Sequence, residues 1–166
     1  MTVEQKLNAT LDECRTHARI LLEARKELGG VRYDAERVLD IKLSELRILD
    51  QMAYRFSKLQ DSVGEKMLPL LLEFAQEPLS FTATFAEKLQ RLEKIGAIPS
   101  AEQWRFLREM RNQLAHEYPD LPAIKAAVLN RFLDSVAQLD SFWKHAEQWG
   151  ISHSPSQGSA GEGEPK

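Results

Sequence analysis

Apolar side chains recur at alternating intervals of three and four along most of this chain, the spacing that aligns one face of an α-helix. Leu7, Leu11, Cys14, Ala18 and Leu21 form the first stripe and predict a helix from about Val3 to Leu28. Gly29-Gly30 ends it, because glycine enters left-handed conformations at little steric cost. Asp34 is then placed to cap the next helix. The second stripe is the longest: Leu46, Leu49, Ala53, Phe56, Gln60, Val63, Met67, Leu70 and Phe74. Gln60 is its only polar member and reads as a core amide satisfied by its neighbours. Gly64 and Pro69 lie inside this helix, and the missing proline N–H predicts a bend between about Glu65 and Pro69.

Pro78 closes that segment, and Ser80 or Thr82 is expected to start a third helix that buries Phe81, Phe85, Leu89, Leu92 and Ile95 before Gly96 ends it. Lys88, Arg91 and Lys94 form a basic ridge there, best read as a solvated face. Ser100-Ala101-Glu102-Gln103 reads as a capping box opening a fourth helix, with Trp104, Leu107 and Leu114 inward. A fifth helix, about Pro122 to Gln148, buries Ile124, Val128, Phe132, Val136, Leu139, Trp143 and Ala146. No strand-like alternation or repeat appears, so the fold class is all-α: an antiparallel bundle of about five helices over residues 1–150. Residues 151–166 are rich in Ser, Gly and Pro and are expected to be a disordered tail.

Composition narrows the function classes. With 166 residues, 43% of them hydrophobic, the chain can build a core without a disulfide or a structural metal. One free cysteine, Cys14, and no leader-like segment read as a reduced cytoplasmic protein. No apolar run approaches the roughly 20 residues of a membrane span, so no membrane partner is expected. A net charge of −3 argues against a general nucleic-acid coater, and any RNA contact must be local. No Gly-rich phosphate loop, paired Cys-x-x-Cys or His-Glu-x-x-His is present, so neither a nucleotide-hydrolase loop nor a metal site is expected. His17, His145 and His153 are scattered and read as ordinary histidines.

The chemistry concentrates in Arg111-Asn112-Gln113-Leu114-Ala115-His116-Glu117-Tyr118-Pro119. At about 100° per residue Asn112 and His116 would share a helix face, with Arg111 roughly 140° from His116. Arg105, Arg108 and Arg111 step by threes along the polar face leading to them. Pro119 pushes Tyr118 out of the α region, so the helix is expected to stop at about Glu117, leaving His116 in its last turn. Tyr118 then either becomes reachable by a partner or packs against the fifth helix. An Arg-x-x-x-x-His pair carries little by itself in a chain with 22 basic residues and 4 histidines.

Together, RNQLAHEY at the end of a helix in an all-α chain resembles the motif of the HEPN superfamily, and its Arg-x-x-x-x-His-x-Tyr form is similar to the HepT toxins of HEPN/MNT toxin–antitoxin pairs. That resemblance implies a homodimer whose two motif helices form a composite, metal-independent ribonuclease site without a cofactor, acting on RNA and not DNA. It implies that Arg111 holds the scissile phosphate, His116 serves as general acid or base, Asn112 orients them, and Arg105 and Arg108 bind RNA. It also implies an MNT-type nucleotidyltransferase antitoxin as partner, which attaches AMP to Tyr118. A second class of bundle proteins with related sequences resembles non-catalytic nucleotide- or substrate-binding partners of nucleotidyltransferases, and Arg111 and His116 suit both. A purely structural bundle is a third reading.

Overall fold

A computed structural model describes residues 1–76 and 79–154. Helix α1 spans Val3–Leu28, as the first stripe predicts. Thr2 and Gln5 cap it reciprocally: the Gln5 N–H donates to Thr2 Oγ1 at 3.1 Å and the Thr2 N–H to Gln5 Oε1 at 2.9 Å. Gly29, at φ 76°, ends it. Asp34 does accept from the Arg37 N–H at 2.7 Å, but what it caps is a short 3₁₀ turn, Arg37–Asp40. That connection is tied to the last helix by Asn130, which accepts from the Tyr33 N–H and donates to the Tyr33 carbonyl.

Helix α2 runs from Leu43–Ser62 through one π-helical turn, Val63–Met67, into Leu68–Phe74. The bend expected near Pro69 is therefore a widened turn: the Leu68 N–H reaches five residues back to the Val63 carbonyl. Pro69 falls in the first turn of the following segment, where its missing N–H is tolerated. The π turn also shifts the buried face by about one residue, because one more residue enters the turn than a plain helix holds. Leu68, Leu71 and Leu72 are buried after it, whereas the expected Leu70 and Phe74 are only half-buried. Before it, Leu49, Phe56 and Gln60 are buried as read, joined by Met52 and Leu59, and Leu46 is exposed.

Helix α3, Phe85–Lys94, starts later than Ser80 or Thr82. Thr84 and Glu87 complete a reciprocal capping box, while Ser80 and Thr82 bond each other in a preceding turn. Phe81 therefore lies outside the helix, fully exposed and not in the core. Pro78 lies outside the described residues. Helix α4 is Ala101–Leu114. Ser100 accepts from the Gln103 N–H at 3.1 Å. The returning half of that box is not made; Glu93 of α3 instead accepts from the Ala101 N–H.

Helix α5, Pro122–Ser152, is the longest and buries Val128, Phe132, Val136, Leu139, Trp143 and Ala146. Ile124 is exposed, although Ala126 and Leu129 close by on the same helix are buried. The helix also takes in Ile151 and Ser152, the first residues of the expected tail. Residues 155–166 of that tail lie outside the described residues. The chain is thus an antiparallel bundle of five helices, and among the described residues none is long and apolar enough to cross a membrane. Its aromatic centre pairs Phe56 with Phe132 edge to face at 5.4 Å and Trp104 with Phe142 at 5.1 Å.

A polar seam joins α1 to α2. His17 Nδ1 lies 3.0 Å from Arg55 Nη1, and Glu13 takes Lys66 and Ser62. Burial, with Arg55 next in weight, lowers the His17 pKa below its ordinary 6.5, against the pull of Glu13. The unfolded chain therefore binds this proton first as pH falls. The stability His17 contributes is complete above about pH 6.5 and is lost as pH drops through that value towards the folded pKa. Thermal unfolding is expected to show a midpoint falling between about pH 7.5 and 5.5, less steeply in His17→Gln. Equal slopes in both proteins would remove His17 as the cause.

Candidate functional site

Arg111 sits on the last turn of α4 and turns towards α2. Its Nε donates to Asp61 Oδ1 at 2.9 Å and its Nη2 to Asp61 Oδ2 at 3.0 Å, a bidentate pair in which both side chains are 29% exposed. Those bonds to Asp61 push the Arg111 pKa up from its ordinary value, so the guanidinium is always charged. The fork leaves both N–H groups of Nη1 and one of Nη2 for a further acceptor. Arg111 is thus rigid and still able to donate.

A cavity of about 730 Å³ opens beside this pair, between the π turn of α2, the start of α3 and the outer face of α4. Gln60, Asp61, Gly64 and Glu65 line it from α2, and Arg108, Arg111 and Asn112 from α4. Phe85, Pro69 and Trp104 supply apolar walls. The Arg108 guanidinium lies 5.4 Å from the centre of the Phe85 ring, the only partner it has among the described residues. Trp104 is buried and its Nε1–H has no acceptor. Two arginines face two carboxylates, so the cavity carries no formal net charge.

The other site residues stand differently. Arg105 is exposed. Helix α4 stops at Leu114, three residues before the expected end, and the N–H groups of Ala115 and His116 bond carbonyls three residues back. Such tight bonds close a helix that has no glycine to turn it and a proline just ahead. Asn112 and His116 consequently do not share a helix face: Asn112 is helical and lines the cavity, while His116 is exposed in the following turn and does not. Tyr118 is outside the helix, as Pro119 requires, yet half-buried against the core. Lys125 Nζ of α5 lies 5.8 Å from its ring centre, and burial, then Asp50, raises its pKa. Packing against the fifth helix is therefore the arrangement Tyr118 adopts.

The structure thus joins Arg108, Arg111 and Asn112 around one cavity and leaves Arg105, His116 and Tyr118 outside its lining. Asp61 escaped the sequence reading. It stands 50 residues from Arg111, beside a stripe position, and nothing in local spacing pairs the two. The scattered histidines are accounted for: His145 Nε2 meets the Gly96 carbonyl at 2.8 Å and His153 stacks on Trp149. Among the described residues no three His, Cys, Asp or Glu side chains converge as metal ligands. Comparison of the chain with protein-family models, with curated proteins and with solved structures finds no match.

Proposed function

We propose that this protein is a cytoplasmic, metal-independent endoribonuclease, the toxin of a HEPN/MNT pair, working as a homodimer. The observation that carries the reading is the Asp61-clamped Arg111 at the end of α4, with unengaged N–H groups and an exposed His116 five residues on. A guanidinium held on one edge is pre-organised to take phosphate oxygens on the other and to stabilise the extra charge of the transition state. An exposed imidazole can accept the 2′-hydroxyl proton as a general base. The 2′-oxygen then attacks phosphorus, and the 5′-oxygen leaves as it receives a proton. One histidine per chain supplies one of these transfers, which is why two chains are needed. Arg105 and Arg108 of both chains would concentrate positive charge locally on a protein of net charge −3. Purified protein should cut single-stranded RNA in the presence of a chelator and run as a dimer in light scattering. A monomer that leaves RNA intact would sink the proposal.

A specific observation favours the second reading, a non-catalytic nucleotide-binding partner of a nucleotidyltransferase. The cavity at Arg111 is electrically balanced and His116 does not line it. Binding of nucleotide without cleavage at any RNA tested would decide for this module.

Control in the toxin reading falls to Tyr118. Its packed ring and raised pKa make it a weak nucleophile, so AMP addition requires an antitoxin enzyme that draws the phenol out and activates it. Co-expression with a cognate nucleotidyltransferase is expected to add AMP mass to the Tyr118 peptide and to silence cleavage, and Tyr118→Phe to escape both. Silencing of the wild type with no adduct in mass spectra would mean neutralisation by complex formation.

A further inference from the structure

Gln60 is 4% exposed, and its side-chain amide makes no hydrogen bond with a described residue. Yet among the described residues only Trp104 Nε1 is an enclosed side-chain polar atom without a partner, so the Gln60 amide opens onto the cavity. Buried amides are ordinarily paired, because an unmade bond forfeits the hydration given up on burial. The satisfied core amide expected from the sequence is therefore not what α2 presents: this donor and acceptor line the cavity beside Arg111. Around it stand the parts that complement a flat heterocycle. Asn112 offers a second amide and Glu65 an acceptor, and the Arg108 guanidinium on Phe85 offers a planar face. A phosphate would not need two amides, and the carboxylates of Asp61 and Glu65 repel one from the interior. The volume, about 730 Å³, falls within the range of small-molecule sites and admits a purine with its ribose.

We infer that this cavity is a nucleobase pocket, which receives one unstacked base of the RNA whose neighbouring phosphate lies on the outer N–H groups of Arg111. The occupant's identity as RNA rests on the ribonuclease reading. Glutamine and asparagine amides match the paired donor and acceptor of adenine, and Glu65 accepts from an exocyclic amine, so adenine is the preferred base. A base must leave its stack to enter, so loops and single strands are substrates and duplexes are not. Gln60 is then a specificity residue 51 positions before Arg111 in the chain.

The test uses single-stranded RNAs identical except for one position that is adenine, uracil or abasic. For the wild type, kcat/KM on adenine is expected to exceed that on the abasic strand by about tenfold or more. In Gln60→Leu, whose apolar side chain suits a core stripe, that ratio should collapse towards one; Gln60→Met serves if the leucine variant does not fold. A wild-type ratio of one, or a ratio unchanged in the variant, overturns the pocket and leaves the ribonuclease reading standing. If no RNA is cut, that reading fails and fluorescence anisotropy with the same strands takes over. An adenine-dependent affinity lost in the Gln60 variant supports the pocket, and equal or absent binding overturns it. Displacement of the RNA by millimolar AMP, equally well from adenine and abasic strands, would give the cavity to free nucleotide and overturn RNA as its occupant.

Discussion

Arg111→Ala and His116→Ala, made separately, are each expected to lower RNA cleavage by about 10²–10⁴-fold while the bundle stays folded. Arg111 lies in the last turn of α4 and His116 in the turn just beyond it, both outside the aromatic core, so far-UV circular dichroism should be unchanged. Arg111→Ala also leaves Asp61 without its bidentate partner, adding a bare carboxylate where phosphate should bind. Arg111→Lys separates the effects: it keeps the charge and loses the fork, so its activity should fall between wild type and alanine. Asn112→Ala should lose less, since an orienting group neither transfers a proton nor carries charge. A composite site makes one further demand. Dimers that pair one wild-type chain with one His116→Ala chain should be as inactive as dimers with both chains altered, because the site draws one proton-transfer group from each chain. His116→Ala retaining full activity would exclude the assigned chemistry, and mixed dimers that keep half of the wild-type activity would confine the site to one chain.

Gly64→Ala is expected to destabilise the protein by about 1–2 kcal/mol, opposite in sign to what a glycine inside a helix suggests. By helix propensity alone alanine should gain up to about 1 kcal/mol. Here a Cβ on Gly64 would lie 2.7 Å from Cζ2 of Trp104, closer than carbon atoms approach. Trp104 cannot easily yield, being buried and packed on Phe142. Overpacking of this kind costs about 1–3 kcal/mol and outweighs the propensity term. Urea unfolding should show a lower midpoint at an unchanged slope. The penalty should shrink when Trp104→Phe removes the clashing edge, a coupling that a double-mutant cycle reads directly. A stabilised Gly64→Ala would show that the indole moves aside freely. Because Gly64 and Trp104 both line the cavity, the same substitution also reports how firmly its inner wall is set.

The amino-acid sequence by itself determined the parts of this protein that depend on neighbours a few residues apart. The stripe from Leu7 to Leu21, the glycine stops at Gly29 and Gly96, and the clustering of Arg108, Arg111 and Asn112 on α4 are of this kind, since helix periodicity and capping are local. The start of α3 was also locally encoded, in Thr84 and Glu87, though Ser80 and Thr82 compete for the same role and only packing of Phe85 instead of Phe81 chose between them. Tertiary structure decided the rest. The π turn forms where Gly64 lets the indole of Trp104 press on α2, and it carried the buried face from Leu70 to Leu71, which no count of threes and fours contains. The tightened last turn of α4 took His116 off the face of Asn112. The Asp61 clamp on Arg111 joins two helices through residues 50 positions apart, and the opening of the Gln60 amide onto the same cavity depends on that docking. Their geometry follows from how the helices dock, because side chains separated by tens of residues meet only after the core between them has been buried.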